Sequence, residues 1–184
     1  MQSRQWMIIT GHSRGIGYAL SELSLAQGFA VLGMARHTRE ELSASAHAHN
    51  SHLEQWVQDL SDGQEAAQRL DIWLRTLHPA DIDGITLVNN AAMLTDLVPL
   101  HKLSPQDLSL STRVGLETPM QLMQRFLAAT EAWSQDGWRG QRRIMNISSG
   151  LGRRAMASSG PYCAVKAGLD LLTRCVALDQ ASSP

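Results

Sequence analysis

Thr10-Gly11-His12-Ser13-Arg14-Gly15-Ile16-Gly17 follows directly on the apolar run Trp6-Met7-Ile8-Ile9 and opens a stretch in which Ile16, Leu20 and Leu23 recur at helical spacing. Apolar run, glycine-rich turn and amphipathic segment, in that order, read as strand, loop and helix. Gly11 permits the tight turn, while Gly15 and Gly17 let the backbone approach a pyrophosphate and the strand closely. The helix start then offers free N–H groups and a partial positive charge to that anion. Glycines also make plain turns. Their position at the first strand-to-helix junction of an alternating chain is what gives these three their meaning.

The alternation continues to the end of the chain. The runs 29–35, 85–88 and 143–147 are continuous and apolar enough for strands buried on both faces of a parallel sheet, and 53–57 is a weaker candidate. Between them the period turns helical: Ala66, Leu70, Trp73, Leu74 and Leu77 share one face. A long helix over about 104–133 aligns Leu116, Met120, Met123 and Leu127, and a last one aligns Tyr162, Val165, Leu169, Leu172 and Val176. Ser61-Asp62 and Ser104-Pro105 are helix starts, with Gln64 and Asp107 three residues beyond the serines. Residues 43–52 are polar and rich in Ala and His, and read as a frayed helix end plus loop. Right-handed crossovers convert this pattern into an α/β fold, a doubly wound parallel sheet with strand order 3-2-1-4-5 and helices on both faces. Residues 1–184 form a single dinucleotide-binding domain on this reading.

Composition narrows the partners. Sixteen Lys and Arg against seventeen Asp and Glu give a formal charge of −1 over 184 residues, with no basic tail, so no nucleic-acid partner is expected. No apolar run reaches the length of a membrane span, and Met1 to Trp6 lack the apolar core of a signal peptide. Cys163 and Cys175 fall in one predicted helix, about 120° apart around its axis, where they cannot pair. A reduced, cytoplasmic protein is the expectation.

Three more segments resemble a known family. Asn89-Asn90-Ala91-Ala92 ends the fourth strand, Ser148-Ser149 ends the fifth, and Tyr162-Cys163-Ala164-Val165-Lys166 opens the last helix. With the phosphate loop, these four ordered motifs resemble those of the short-chain dehydrogenase/reductase family. The residues 84–90 and 162–170 look most like its benzil/sepiapterin-reductase branch. Ser149, thirteen residues before Tyr162, fits the family spacing; Ser148 is one position early.

The resemblance implies a carbonyl or alcohol oxidoreductase in which Ser149, Tyr162 and Lys166 are catalytic. Residues four apart on a helix share a face, and a phenol, ordinarily titrating near 10, is drawn toward phenolate by a neighbouring ammonium. Lys166 is one of only two lysines in the chain. Tyr162 is thus the expected general acid/base, Ser149 a donor to the same substrate oxygen, and Lys166 also a contact of the nicotinamide ribose. Gly11, Ser13, Arg14, Gly15, Ile16, Gly17, Arg36, Asp59, Leu60, Asn89 and Ala91, with Tyr162 and Lys166, are the expected cofactor contacts. Arg14 lies in the phosphate loop, and Arg36 lies just past the second strand, where an NAD site would place an acidic residue for the ribose 2′-OH. Two guanidiniums suit a 2′-phosphate, so NADP(H) is preferred and NAD(H) is the alternative.

Two departures from the family stand out. Its central helix carries an asparagine that holds a relay water, and here that segment reads Val114-Gly115-Leu116; either water fills the space beside Gly115 or activity is reduced. The family also continues into a sixth strand, a substrate lid and a seventh strand beyond Pro184. A nucleotide-binding or interaction module without turnover is therefore the second reading. His47, His49 and His52 read as a solvated loop, not a metal site, and Arg153-Arg154 as an exposed pair. Leu110, Leu116, Met120, Leu122, Met123 and Phe126 exceed one core stripe on the central helix, which points to a homodimer or homotetramer with Leu122 as a candidate outward residue.

Overall fold

The computed structural model describes residues 4–181; residues 1–3 and 182–184, and the readings that fall on them, lie outside it. β1 (Arg4–Thr10) is the centre of a parallel sheet, flanked by β2 (Ala30–Ala35) and β4 (Ile82–Asn89). β3 (Leu53–Val57) joins β2 and β5 (Gln141–Asn146) joins β4, giving the order β3-β2-β1-β4-β5 that the alternation predicts. Helices α1 (Gly15–Ala26), α2 (Glu40–Ala48), α3 (Gly63–Thr76), α4 (Pro105–Thr112), α5 (Thr118–Gln135) and α6 (Gly160–Ala181) make the connections and the last segment.

The pleat sorts the core into two layers. Ile8, Leu32 and Leu87 face one side, packed with Leu70 and Leu74 of α3 and Leu122 and Phe126 of α5. Their chain neighbours Ile9, Val31 and Val88 face the other, with Leu25 of α1 and Leu42 and Ala46 of α2. All six strand residues are fully buried. At about 1.5–3 kcal/mol for each apolar side chain removed from water, this central ladder is the main source of the sheet's stability. Five tryptophans thicken the first layer: Trp6 meets Trp73 edge-on at 4.8 Å, and the Arg69 guanidinium lies 4.3 Å above Trp56.

The structure departs from the sequence reading at five places. β5 is not buried on both faces: Gln141, Arg143 and Met145 are exposed and their neighbours half-buried, because β5 is the sheet edge among the described residues. α2 runs through Ala48, since Leu42 and Ala46, four apart, bury together and carry the helix on through residues 43–48. The α3 cap is Asp62, whose Oδ1 accepts the Glu65 N–H at 2.9 Å, one residue beyond Ser61. Ser104 caps α4 as expected, accepting the Asp107 N–H at 3.0 Å.

The long central helix is interrupted by a π-helical turn, Arg113–Glu117, closed by the Thr118 N–H on the Arg113 carbonyl. Pro119 explains it: with no N–H and a ring that crowds the preceding turn, it cannot follow a regular α-helical ladder, and a five-residue turn makes room. Finally, Leu122 does not face outward. It is fully buried, because α5 packs both on the sheet and against α3 beside it and is covered on two faces within one chain. A charge at Leu122 would test folding, not assembly.

One buried titratable group sits where the sheet meets the phosphate loop. His12 is fully buried, its ring lying over Gly33 so closely that any Cβ there would collide with it. Burial lowers the His12 pKa, against the opposing effects of the Gln55 side chain and the Met34 carbonyl. A histidine depressed in the folded state gives stability present above its unfolded value, near 6.5, and lost as pH falls below it. Chemical denaturation at about pH 7 and about pH 5.5 is expected to show a drop in unfolding free energy that His12→Asn diminishes; an equal drop in the variant would remove His12 as its source.

Candidate active site

The carboxyl ends of β1 to β4 open onto a cleft of about 740 Å³. The phosphate loop contributes Gly11, Ser13, Arg14, Gly15 and Ile16 to its wall; Ala35, Arg36, His37 and Arg39 follow β2, and Gln58, Asp59 and Leu60 follow β3. Gly11 and Gly15 have φ of +70° and +55°, values that favour glycine. A Cβ on Gly15 would meet nothing within 4 Å, so its backbone is open to a ligand. Gly17 does different work. A Cβ there would strike the Gly11 carbonyl and come within 2.5 Å of Asn90 Nδ2, so this glycine seals α1 onto the end of β1 and does not line the cleft. Arg14 precedes α1 in extended conformation and supplies no side-chain cap, which leaves the first N–H groups of the helix for an anion.

The two asparagines after β4 divide the labour. Asn89 is buried, donating from Nδ2 to Asn146 Oδ1 at 2.8 Å, and Asn146 in turn donates to Thr173 Oγ1 at 2.8 Å; its side chain thus faces β5 instead of the cleft. Asn90, not Asn89, reaches the cleft. It lines the cleft with Ala91, and its Nδ2 donates to the Thr10 carbonyl at 2.9 Å. Strand alternation fixes this, since residue 89 still belongs to the ladder and 90 is free of it. Asp59 Oδ1 accepts the Ser61 N–H at 2.8 Å; that hydrogen bond, with a smaller contribution from Arg36, holds its carboxyl below the usual range. His37, Arg39 and Gln58 are wall residues that sequence reasoning missed: nothing but their place in the chain signals them.

Tyr162 and Lys166, near the start of α6, form a second group, and Ser149 follows the end of β5; all three lie outside the walls of this cleft. Ser149 Oγ accepts the Leu151 N–H at 3.2 Å, capping the single 3-10 turn Gly150–Gly152 and leaving its own proton to donate. Lys166 is 2% exposed. Its Nζ donates to the Ile147 carbonyl at 2.5 Å and lies 5.7 Å from the centroid of the Tyr162 ring, one turn away as the spacing predicts. Burial lowers its pKa, and the Asp170 carboxylate opposes that. Arg153 and Arg154 are exposed beyond the turn.

The two groups meet at the π-helical turn. Val114 lines the cleft, while a Cβ on Gly115 would lie 2.5 Å from Val165 Cγ1, between Tyr162 and Lys166 on α6. The space beside Gly115 is therefore filled by Val165, not by a water, and the turn packs directly on the helix that carries the tyrosine and lysine.

A five-stranded parallel sheet in the order 3-2-1-4-5, with a glycine-rich loop after its central strand, is the architecture of the doubly wound Rossmann class. Comparison with known proteins narrows it: the chain matches the short chain dehydrogenase family over residues 5–183 and belongs to that family, a class of oxidoreductases. It is 29% identical over 176 residues to a benzil reductase ((S)-benzoin forming) of Bacillus cereus, covering 96% of this chain and 69% of that one. To the corresponding enzyme of Bacillus subtilis (strain 168) it is 31% identical, covering 94% and 66%. The chain thus spans about two thirds of the length of these relatives. A metagenomic short-chain oxidoreductase solved in complex with NADP superposes with a TM-score of 0.80 at 32% identity, over 96% of this chain and 75% of that one.

The Gly115–Val165 contact makes a direct prediction. Gly115→Asn should destabilise the protein by about 1–3 kcal/mol through overpacking, and Val165→Ala should recover much of that loss. Denaturant midpoints of the two single variants and the double variant measure it; strict additivity would show that the two residues do not touch.

Proposed function

We propose that the protein is an NADP(H)-dependent carbonyl reductase, acting on a ketone or aldehyde in one direction and a secondary alcohol in the other. The observation that carries this is the buried Lys166 ammonium 5.7 Å from the centroid of the Tyr162 ring, together with a Ser149 hydroxyl whose proton is free to donate and a cleft at the carboxyl ends of the strands. The cleft fits the cofactor on its own features: volume, the open backbone of Gly15, an uncapped helix start, and three arginines against one carboxylate, Asp59, in its wall. Gly11, Ser13, Gly15 and Ile16 would hold the pyrophosphate, Arg14 and Arg36 the 2′-phosphate, Asp59 and Leu60 the adenine, and Ala91 the adjoining ribose. The bound cofactor supplies the hydride.

Tyr162 then gives its phenolic proton to the substrate oxygen as the carbonyl carbon becomes an alcohol carbon. Ser149 donates a second hydrogen bond to that oxygen and holds it for the transfer. Lys166 stabilises the phenolate left behind and holds the nicotinamide ribose, with the Ile147 carbonyl fixing its Nζ. The diketone reduced by the Bacillus benzil reductases is the substrate class to assay first. Residues 1–184 act as one dinucleotide-binding domain in this reading, with the cytoplasm as its location, in keeping with the free thiols of Cys163 and Cys175. No helix among the described residues is long and apolar enough to cross a membrane.

The test joins binding to turnover. The protein should bind NADPH more tightly than NADH by fluorescence titration, and Tyr162→Phe should keep that affinity while losing reductase activity about 10²–10⁴-fold. Equal affinities would overturn the cofactor preference, and an active phenylalanine variant would remove Tyr162 from the chemistry. NADPH binding without turnover in the unmodified chain would favour the module reading.

Self-association into a homodimer or homotetramer belongs to the same proposal. Met120 on α5 and Leu171 on α6 are 40% and 57% exposed, apolar side chains that a copy of the chain would cover. Light scattering should give a mass that is a multiple of 20.2 kDa, reduced by Met120→Glu; a monomer at all concentrations would refute it.

A further inference from the structure

Arg39 immediately precedes α2 and lies in the cleft wall three positions beyond Arg36. Its Nε–H donates to the Ser13 carbonyl at 2.6 Å, inside the phosphate loop. Both of its backbone polar groups are clasped by one side chain: its N–H donates to Gln55 Oε1 at 2.8 Å, and its carbonyl accepts from Gln55 Nε2 at 2.9 Å. The same carboxamide donates to Ser43 Oγ at 3.1 Å and meets His12 Nε2 at 3.0 Å. Because the Arg39 N–H already makes Oε1 the acceptor, His12 Nε2 must carry its proton and donate. Gln55 therefore grips the phosphate loop twice, at His12 directly and at Ser13 through Arg39.

The strand register shows why this node is possible. Gln55 pairs with Gly33, and Gly33 is bare because the His12 ring lies across it, so ring and carboxamide meet over one position of the sheet. With Nε tied to Ser13, the plane of the Arg39 guanidinium is set. Its Nη groups hydrogen-bond to no other described residue, and neither do the side chains of Arg14 and Arg36. Three arginines thus face a wall whose only carboxylate is Asp59, itself engaged by Ser61. A dianion is the ligand that this charge distribution suits, and a preoriented planar fork is the donor that binds it best.

We propose that Arg39 is a specificity-determining residue for the 2′-phosphate of the cofactor and that Gln55 is the positioning residue that aims it. The inference rests on the NADP(H) reading above and adds residues to it. Gln55 touches no ligand itself; it acts by fixing the backbone of residue 39 and the loop at His12.

Calorimetric titration of the full chain with 2′,5′-ADP and with 5′-AMP separates the phosphate from the rest of the nucleotide. Arg39→Ala should weaken 2′,5′-ADP about tenfold and 5′-AMP less than about twofold, the size of one charge-assisted contact. Gln55→Leu should narrow the discrimination between the two nucleotides in the same sense, and should narrow it no further when added to Arg39→Ala. Arg39→Lys, on an exposed side chain that leaves the core untouched, keeps the charge without the fork and should recover only part of the loss. Equal weakening of both nucleotides by Arg39→Ala would overturn the role of Arg39. A Gln55→Leu effect undiminished in the Arg39→Ala background would overturn that of Gln55. Should the unmodified chain bind 2′,5′-ADP no better than 5′-AMP, the NADP(H) reading fails and this inference with it; variants that keep a strong unmodified preference overturn the inference alone.

Discussion

At the switch point of a parallel sheet the chain leaves adjacent strands toward opposite faces, and the crevice opened there keeps its shape only if something ties the strand ends together. In this protein the tie is Thr10. Its hydroxyl is buried, accepts the N–H groups of Asn90 and Ala91 at 3.0 Å each, and donates to the Val88 carbonyl at 3.4 Å, while its own carbonyl takes the Asn90 side chain. That uses the full hydrogen-bonding capacity of a hydroxyl. An apolar isostere would leave two enclosed N–H donors unpaired, at about 1–3 kcal/mol each. The phosphate loop begins at the next residue, and Asn90 lies within contact of both Gly11 and Gly17, so loop geometry, the start of α1 and the β4 end are set by one knot. Gln55 ties the same loop from the β3 side.

Lys166 poses the opposite energetic problem. An ammonium buried to 2% exposure with one carbonyl acceptor is costly, and the depression of its pKa by burial is the measure of that cost. The ammonium lies 5.7 Å from the centroid of the Tyr162 ring, on a helix whose Val165 packs against the π-helical turn at Gly115.

Much of the fold was legible because it depends on local pattern. Apolar runs alternating with helical periods leave few arrangements once crossovers are right-handed, and the strand order followed. The misses share a cause: periodicity tells which face of an element is apolar, not what covers it. Leu122 looked surplus because a sheet accounts for one stripe, and only the position of α3 shows that a second stripe is also enclosed. β5 looked like the other strands because an apolar run carries no mark of being at an edge. The π-helical turn ahead of Pro119 had no mark in the helical period, and it shows only in the structure, packed on α6 through Gly115.

At the site the same limit shows in the glycines. The sequence offers Gly11, Gly15 and Gly17 as one motif, yet only the first two have positive φ and only Gly15 opens onto empty space. Gly17, Gly33 and Gly115 are glycines for a different reason: each leaves a gap that a partner fills, the Gly11 carbonyl, the His12 ring and a Val165 methyl respectively. A missing Cβ needed for conformation can be inferred from a turn motif, whereas one needed for contact depends on a residue distant in the chain, as Val165 is fifty positions from Gly115. The residues that shape the cleft most, Gln55 and Asn90, are invisible to motif reading on the same ground, since each acts through hydrogen bonds to segments distant in the chain. Chemistry-bearing side chains announce themselves by type and spacing; the residues that hold them in place are defined only by what they touch.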